Sequence, residues 1–305
     1  MSEIPLASVI MPFFNTERYI EEAIQSVFDQ TFTSWELVLI DDGSTDGSTA
    51  LALDYAERFP NKVRYLQHEG HANKGGSVSR NVGIDHARGH YIALLDADDV
   101  YRPEKLERQV AILEAHPEVG ALYGATEYWY SWSGVTAAGR RDFTFVPDLP
   151  TERVYAPPSL INLIYVEKSA AVPCTCSLLV RRDVLERIGA FEPTFRVLYQ
   201  DQVLYTKIFS ETPVYVMSDC LDRYRQHADS SCHVAKRTGE RLHLELAFLE
   251  WQVAYLSRRE GIPNRHVRTI QRAYWRMRFP LYEKLSRVSR SVASRLLTMA
   301  GKGAE

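Results

Sequence analysis

Tyr91-Ile-Ala-Leu-Leu-Asp96-Ala-Asp98-Asp99 is a short apolar run that stops abruptly on three carboxylates. A run of this length bounded by polar residues reads as a strand buried on both faces. A helix is expected to start near Pro103, because proline suits the first turn of a helix. Upstream, Trp35-Glu-Leu-Val-Leu-Ile40 is a second apolar run, and it halts at Asp41-Asp42-Gly43-Ser44. Ser8-Val-Ile-Met-Pro-Phe13 is another, carrying proline at position 12, and residues 63–66 are a further strand. Between these runs, Ile20, Ala23, Ile24, Val27 and Phe28 recur at helical spacing, with Asn15 or Thr16 placed to cap them. Leu51, Leu53, Tyr55 and Ala56 mark a second helix closed by Pro60, and residues 77–87 a third. Strand and helix alternate over short links, which predicts a mostly parallel α/β sheet sandwiched by helices. Ligands bind such sheets at the carboxyl ends of the strands. Pro12, the Asp41–Asp42 pair and the Asp96–Asp99 cluster all fall there.

Beyond residue 119 the pattern loosens. Residues 119–123 read as a strand, 126–132 are rich in aromatics, and 133–160 lack periodicity, as expected of a lid-like loop. Residues 176–180 read as a strand, 183–188 as a short helix ended by Gly189, 201–210 as a helix and 214–217 as extended chain. Two helical stretches, 236–259 and 264–298, flank Gly261-Ile-Pro263. The expected organisation is therefore an α/β domain over 1–235 and a helical appendage over 236–305.

The chain has 305 residues, 45% of them hydrophobic and 25% charged, an ordinary globular composition. No stretch approaches the ~20 unbroken apolar residues of a membrane span, and Met1-Ser-Glu-Ile-Pro5 lacks the features of a signal peptide. Four cysteines are scattered, and Cys174-Thr-Cys176 has neither zinc-pair spacing nor a second pair. Reduced thiols in a cytoplasmic protein are expected. The net charge of −3 hides an asymmetry: residues 236–305 hold 15 Lys/Arg against 6 Asp/Glu, a net +9, so the remainder sums to −12. The expected roles of that tail are peripheral contact with the inner membrane face or a homodimer contact, not nucleic-acid binding; an ordinary solvated helix face is the alternative.

Several carboxylates leaving a buried strand repel one another unless positive charge sits among them. Their hard oxygens suit Mg²⁺ or Mn²⁺, which commonly complete their shells with phosphate oxygens. Asp41-Asp42-Gly43-Ser44 is a turn by composition, and the functional alternative is that one of its carboxylates accepts a nucleobase N–H. An aspartyl nucleophile fits poorly, because the acids are adjacent rather than spaced as Asp-x-Asp.

Together these residues resemble the donor-binding half of the inverting family 2 glycosyltransferases, which have the GT-A fold. The resemblance rests on Ser8-Val-Ile-Met-Pro-Phe-Phe-Asn15, Gln30-Thr-Phe32, Glu36-Leu-Val-Leu-Ile-Asp-Asp-Gly-Ser-Thr-Asp46, Ser79-Arg-Asn-Val-Gly-Ile84 and Leu95-Asp-Ala-Asp-Asp99. Arg181-Arg-Asp183, Ile188-Gly-Ala-Phe-Glu192 and Gln200-Asp201 continue it in the family's order, so that it covers roughly residues 5–231. It implies transfer of a sugar from a nucleoside-diphosphate sugar, a UDP- or dTDP-sugar being favoured, to a saccharide or lipid-linked acceptor, in polysaccharide or glycoconjugate synthesis. By position, Pro12, Phe14, Asp42, Arg80 and Asp96 would contact the nucleotide. Asp98, Asp99 and His227 would serve Mn²⁺ or Mg²⁺, and Asp201 would be the catalytic base. Helix capping by Asp99, a helix N-terminal acid at Asp201 and a surface ion pair at Arg80 are the structural alternatives. Where the family often has Glu-Asp, this chain has Gln200-Asp201, keeping the second acid. Arg223-Tyr-Arg-Gln-His227 with Ser230-Ser231 resembles the segment that closes over the diphosphate. Tyr128, Trp129 and Trp132 are candidates for stacking on an acceptor sugar or, equally, for a partly buried core edge.

Other function classes fit these residues less well. A nucleotidyltransferase would need a Gly-rich basic loop after the first strand, which Pro12-Phe-Phe-Asn15 is not. A non-catalytic nucleotide-sugar scaffold would have no use for the acid at 201. A dinucleotide-dependent oxidoreductase lacks its Gly-x-Gly-x-x-Gly turn.

Overall fold

The computed structural model describes residues 5–134, 140–230, 233–234, 237 and 241–279. The chain divides into two compact units, residues 1–241 and 242–305.

The first unit opens with four strands, β1 (Ala7–Phe13), β2 (Trp35–Asp41), β3 (Val63–Gln67) and β4 (Tyr91–Leu94). They pair in parallel in the order β3-β2-β1-β4. Helices α1 (Ile20–Phe28), α2 (Ser48–Arg58) and α3 (Gly76–His86) connect them. Side chains alternate across the sheet, and both faces are covered. Val9, Met11, Leu37 and Leu39 join Ile20, Ile24 and Val27 of α1 in one core. Ile10 and Ile40 point the other way, toward α3. There Gly83 lies so close that a Cβ would come within 2.6 Å of Ile10 and 2.7 Å of Ile40. Continuous apolar runs, rather than alternating ones, follow from this two-sided burial.

The sheet then changes character. After β5 (Val100–Tyr101) and α4 (Lys105–Ala115) come β6 (Ala121–Trp129), β7 (Phe143–Phe145) and β8 (Arg153–Tyr155). A short turn, α5 (Ser159–Ile161), leads through a π-helical segment to β9 (Leu179–Arg181), α6 (Arg182–Ile188), α7 (Gln200–Glu211) and β10 (Val214–Arg225). The order continues β4-β9-β6-β10-β5, with β7 beside β6 and β8 beside β10. β9 runs antiparallel to both β4 and β6, while β10 is parallel to β6 and antiparallel to β5 and β8. The parallel arrangement is thus confined to the first four strands and the β6–β10 pair, and the whole sheet is mixed. The register of β10 on β6 shifts between Val216 and Cys220 and again before Arg223. Such irregularities bend a strand, and the far half of β10 pairs with β5 just after the acidic turn.

Three local readings differ from the expectation. Neither Asn15 nor Thr16 caps α1 with its side chain; the helix starts after Tyr19 without such a bond. Asn15 instead takes a positive φ of 52°, and its Oδ1 accepts the Thr45 N–H at 2.7 Å, tying the β1 and β2 turns together. The unpatterned stretch 133–160 carries β7 and β8, short strands whose pairing with β6 and β10 supplies order that no periodicity signals; residues 135–139 lie outside the described residues. Of the aromatic-rich segment 126–132, residues 126–129 belong to β6, which runs on to Trp129, and Trp132 lies in the 3₁₀ turn Ser131–Ser133.

The second unit contains most of α8 (Arg241–Leu256) and all of α9 (Asn264–Arg278). Phe248, Gln252 and Leu256 are buried on α8, and His266, Val267 and Ile270 on α9. The expected helix over 264–298 is present to Arg278, and its remainder from 280 lies outside the described residues. Among the described residues, no helix is long and apolar enough to cross a membrane.

Candidate functional site

The carboxyl ends of β1, β2 and β4 open into a cleft of about 1170 Å³, and the nine residues expected to serve as nucleotide contacts, metal ligands and base all line it. β4 stops opposite Ile10, so at Pro12 β1 is exposed along one edge, where a sheet tolerates the missing N–H of proline. Phe14, one turn further, is 47% exposed at the mouth.

The adjacent acids of β2 divide their work by strand alternation. Asp41 is wholly buried; it accepts hydrogen bonds from Ser44 N–H (2.7 Å), Thr49 Oγ1 (2.5 Å) and Tyr65 OH (3.2 Å), with His71 Nε2 at 3.1 Å. Burial pushes its carboxyl up, but these donors outweigh it and hold the pKa below the usual range. The same contact, with burial first, pushes Tyr65 up to about 12. Asp42 faces the cleft. Its carboxylate accepts the Lys74 N–H at 2.7 Å and the Gly75 N–H at 2.9 Å, so it also anchors the loop before α3. Gly75 has φ +90°, a conformation that favours glycine. Gly43, in the turn after Asp42, has φ +85°, and a Cβ there would meet His71 O at 2.8 Å. The glycine at 43 is therefore demanded by the packing of its turn on the His71–Asn73 backbone.

Arg80, on α3, is 9% exposed and pairs with Asp96 through Nη2, while Nη1 donates to Gln200 Oε1 at 2.8 Å. This is an ion pair inside the cleft rather than on the surface. It links the end of β4 to the first turn of α7, where Asp201 sits. Burial pushes the Asp201 carboxyl above the usual range, against the pull of backbone N–H donation and of the Arg80 charge. A carboxylate of raised pKa at the N-terminus of a helix has the properties of a general base.

The acidic turn is held from the far side of the sheet. Asp99 is 2% exposed, and its Oδ1 accepts the Arg225 N–H at 2.9 Å. Burial and the neighbouring Asp98 and Asp96 charges push its carboxyl well above the usual range. It does not cap α4, whose N-cap is Glu104 with no side-chain bond. Asp98 Oδ2 lies 2.8 Å from His227 Nε2, and the buried His227 Nδ1 has no hydrogen-bond partner. Asp98 and His227 are thus brought together, whereas Asp99 turns to β10. Among the described residues no three side chains form a metal-ligand cluster. Asp98 and His227 could supply two ligands to a divalent cation, the remainder coming from phosphate and water oxygens.

Arg225 was not distinguishable from its neighbours in the sequence. It is 2% exposed; Nε donates to the Asp98 carbonyl at 2.6 Å and Nη2 to Glu22 at 2.5 Å. Its guanidinium lies 4.6 Å from the Trp129 ring and 5.0 Å from that of Trp132. Two of the three aromatics considered for sugar stacking therefore face this cation and do not line the cleft. Tyr128 does line it, stacked on Phe143 at 4.8 Å. Of the segment resembling a diphosphate cover, Ser230 Oγ pairs with His233 Nδ1 at 2.9 Å, and Ser231 lies outside the described residues.

Comparison with known proteins agrees with this geometry. The family model for Glycosyl transferase family 2 matches residues 8–189. TuaG of Bacillus subtilis (strain 168), described as a teichuronic acid biosynthesis glycosyltransferase, is 30% identical over 72% of this chain and 79% of its own. EpsE of the same organism, described as a glycosyltransferase, is 42% identical over 116 residues, and the chain spans only 41% of its length. The crystal structure of S. aureus TarS 1-349 in complex with UDP-GlcNAc superposes with a TM-score of 0.63 at 20% identity, covering 90% of this chain and 73% of that one. The matched span contains both acidic strand ends and the turn between β4 and α4, and on that evidence the chain belongs to the family 2 glycosyltransferases and has the GT-A fold.

Proposed function

We propose that this protein transfers a sugar from a nucleoside-diphosphate sugar to an acceptor hydroxyl, with inversion at the anomeric carbon, in the synthesis of a cell-envelope polysaccharide. The observation that carries the reading is the convergence on one cleft of Asp42, Asp96 and Asp98 from two strand ends with Asp201 from α7. Asp42 and Arg80–Asp96 would hold the nucleoside and ribose, with Pro12 and Phe14 shaping the mouth. Asp98 and His227 would hold Mn²⁺ or Mg²⁺, which when bound offsets the charge of the diphosphate. The unpartnered Nδ1 of His227 supports a ligand at that position.

Asp201 would accept the acceptor hydroxyl proton as its oxygen bonds to C1 and the C1–O bond to the diphosphate breaks. The raised pKa of Asp201 suits it to that proton, since a base poised nearer neutrality holds it better than an ordinary carboxylate. The donor favoured is a UDP-sugar, because TarS, which shares the fold, binds UDP-GlcNAc. The polysaccharide context follows the description of TuaG.

The deciding experiment is calorimetric titration of UDP, dTDP and GDP, each with Mn²⁺ and with EDTA, followed by transfer assays reading the product anomer by NMR. Metal-dependent binding of one diphosphate and an inverted product are expected. Binding indifferent to EDTA would remove the metal from the reading, and a retained anomer would remove Asp201 as a one-step base.

A further inference from the structure

We infer that α9 is a docking surface for anionic lipid headgroups. Arg265, Arg268, Arg272 and Arg276 recur at intervals of three and four residues, which places them in one stripe along the helix. All four are exposed, and so is Arg278. His266, Val267 and Ile270 form the opposite, buried face. No Asp or Glu occurs between Asn264 and Phe279, whereas a merely solvated face ordinarily mixes both signs.

The stripe is flanked by a second feature that charge alone does not explain. Trp275 and Phe279 are each 48% exposed, and their rings stack at 5.6 Å with 19° between planes. Indole and phenyl rings left in water beside a cationic stripe are unfavourable on a solvated helix. At a lipid interface they are well placed, the rings entering the headgroup layer while arginine meets phosphate. The same pairing distinguishes a lipid surface from a purely polyanionic partner, which would use the stripe and leave the rings exposed. In sequence, residues 280–305 add five Lys/Arg against two Glu, so the cationic character does not end with the helix.

Flotation of the full chain with phosphatidylcholine vesicles, with and without about one third phosphatidylglycerol, tests this directly. The wild-type chain is expected to float with the anionic vesicles and to be released in part, not wholly, by salt. Each arginine at such a surface contributes roughly fivefold in partitioning, so R268Q/R272Q should weaken binding roughly 25-fold. W275S/F279S should lower the binding that persists at high salt. Both pairs are exposed, and unchanged circular dichroism and melting would show that the variants fold. Equal wild-type binding to neutral and anionic vesicles, or none to either, overturns the inference. So does wild-type-like flotation of both variants. Retention on a polynucleotide without vesicle binding would assign the stripe to nucleic acid, and self-association lost in the variants without vesicle binding would assign it to a second copy.

Discussion

Replacing Arg225 by methionine keeps much of the side chain's length and removes its charge and donors. The guanidinium is nearly inaccessible and makes three kinds of contact, each with a separate expected worth. Its Nε–H to the Asp98 carbonyl is a buried, charge-assisted bond at 2.6 Å, worth about 1.5–3 kcal/mol. Its position over Trp129 and Trp132 adds about 1–2 kcal/mol for a largely desolvated cation on two π faces. The pair with Glu22 is discounted to about 0–1 kcal/mol, because that carboxylate's side chain is 55% exposed. With methionine restoring part of the packing, the net loss should be about 3–5 kcal/mol, a shift of about 1–2 M in the urea midpoint for a domain of this size. The Arg225 backbone N–H to Asp99 remains, so the turn should loosen at Asp98 first. Metal-dependent binding of UDP should therefore fall about tenfold, by the loss of about 1.4 kcal/mol of preorganisation. R225K, which keeps the charge but not the planar fork, should fall between. A midpoint for R225M within about 0.3 M of wild type, at unchanged m, would refute the assignment of Arg225 as the tie between β10 and the acidic turn.

Four other predictions concern the cleft. Asp201→Asn should leave donor binding intact and lower transfer by ~10²-fold or more, measured by single-turnover kinetics with saturating donor. The wild-type pH–rate profile should rise with pH through an apparent pKa above the ordinary value near ~4, and Asp201→Asn should flatten that limb. Because the folded-state pKa of Asp201 is raised, its favourable contribution is present below the unfolded value and is lost as pH rises through the folded one. Asp201→Asn should therefore gain stability relative to wild type on going from acid to neutral pH, and melting curves across that window check the sign. Asp98→Ala should weaken UDP binding in Mn²⁺ and leave binding in EDTA unaltered; equal weakening in both would make Asp98 a direct nucleotide contact.

β1, β2 and β4 were legible in the sequence because they are buried on both faces, so hydrophobicity alone marks them. Their acidic ends were legible for the converse reason, since charge beside such runs needs an explanation. β7 and β8 were not legible: Phe143–Phe145 and Arg153–Tyr155 are three residues each, too short for a period, and owe their order to β6 and β10. The antiparallel entry of β9 was equally invisible, because pairing direction leaves no trace in a strand as short as Leu179-Val-Arg181. Within the site, Asp42 and Asp98 stood out as types in a pattern, but the difference between Asp98 and Asp99 did not. It depends on which carboxylate meets an N–H 126 residues away. Trp129 and Trp132 read equally as sugar platforms or as a core edge on composition; a cation reaching them from another strand is their partner.

That 126-residue span also sets an order of events during synthesis. At about 5–20 residues per second, roughly 6–25 s separate the emergence of the acidic turn from that of the arginine that secures it. During that interval the nascent chain can pair its first four strands, yet the Asp98 carbonyl and the Asp99 carboxyl lack their partners. A ribosome-bound intermediate truncated before β10 should thus be folded in its first half and poor at holding a donor, so that competence arrives only when the final strand of the domain leaves the exit tunnel.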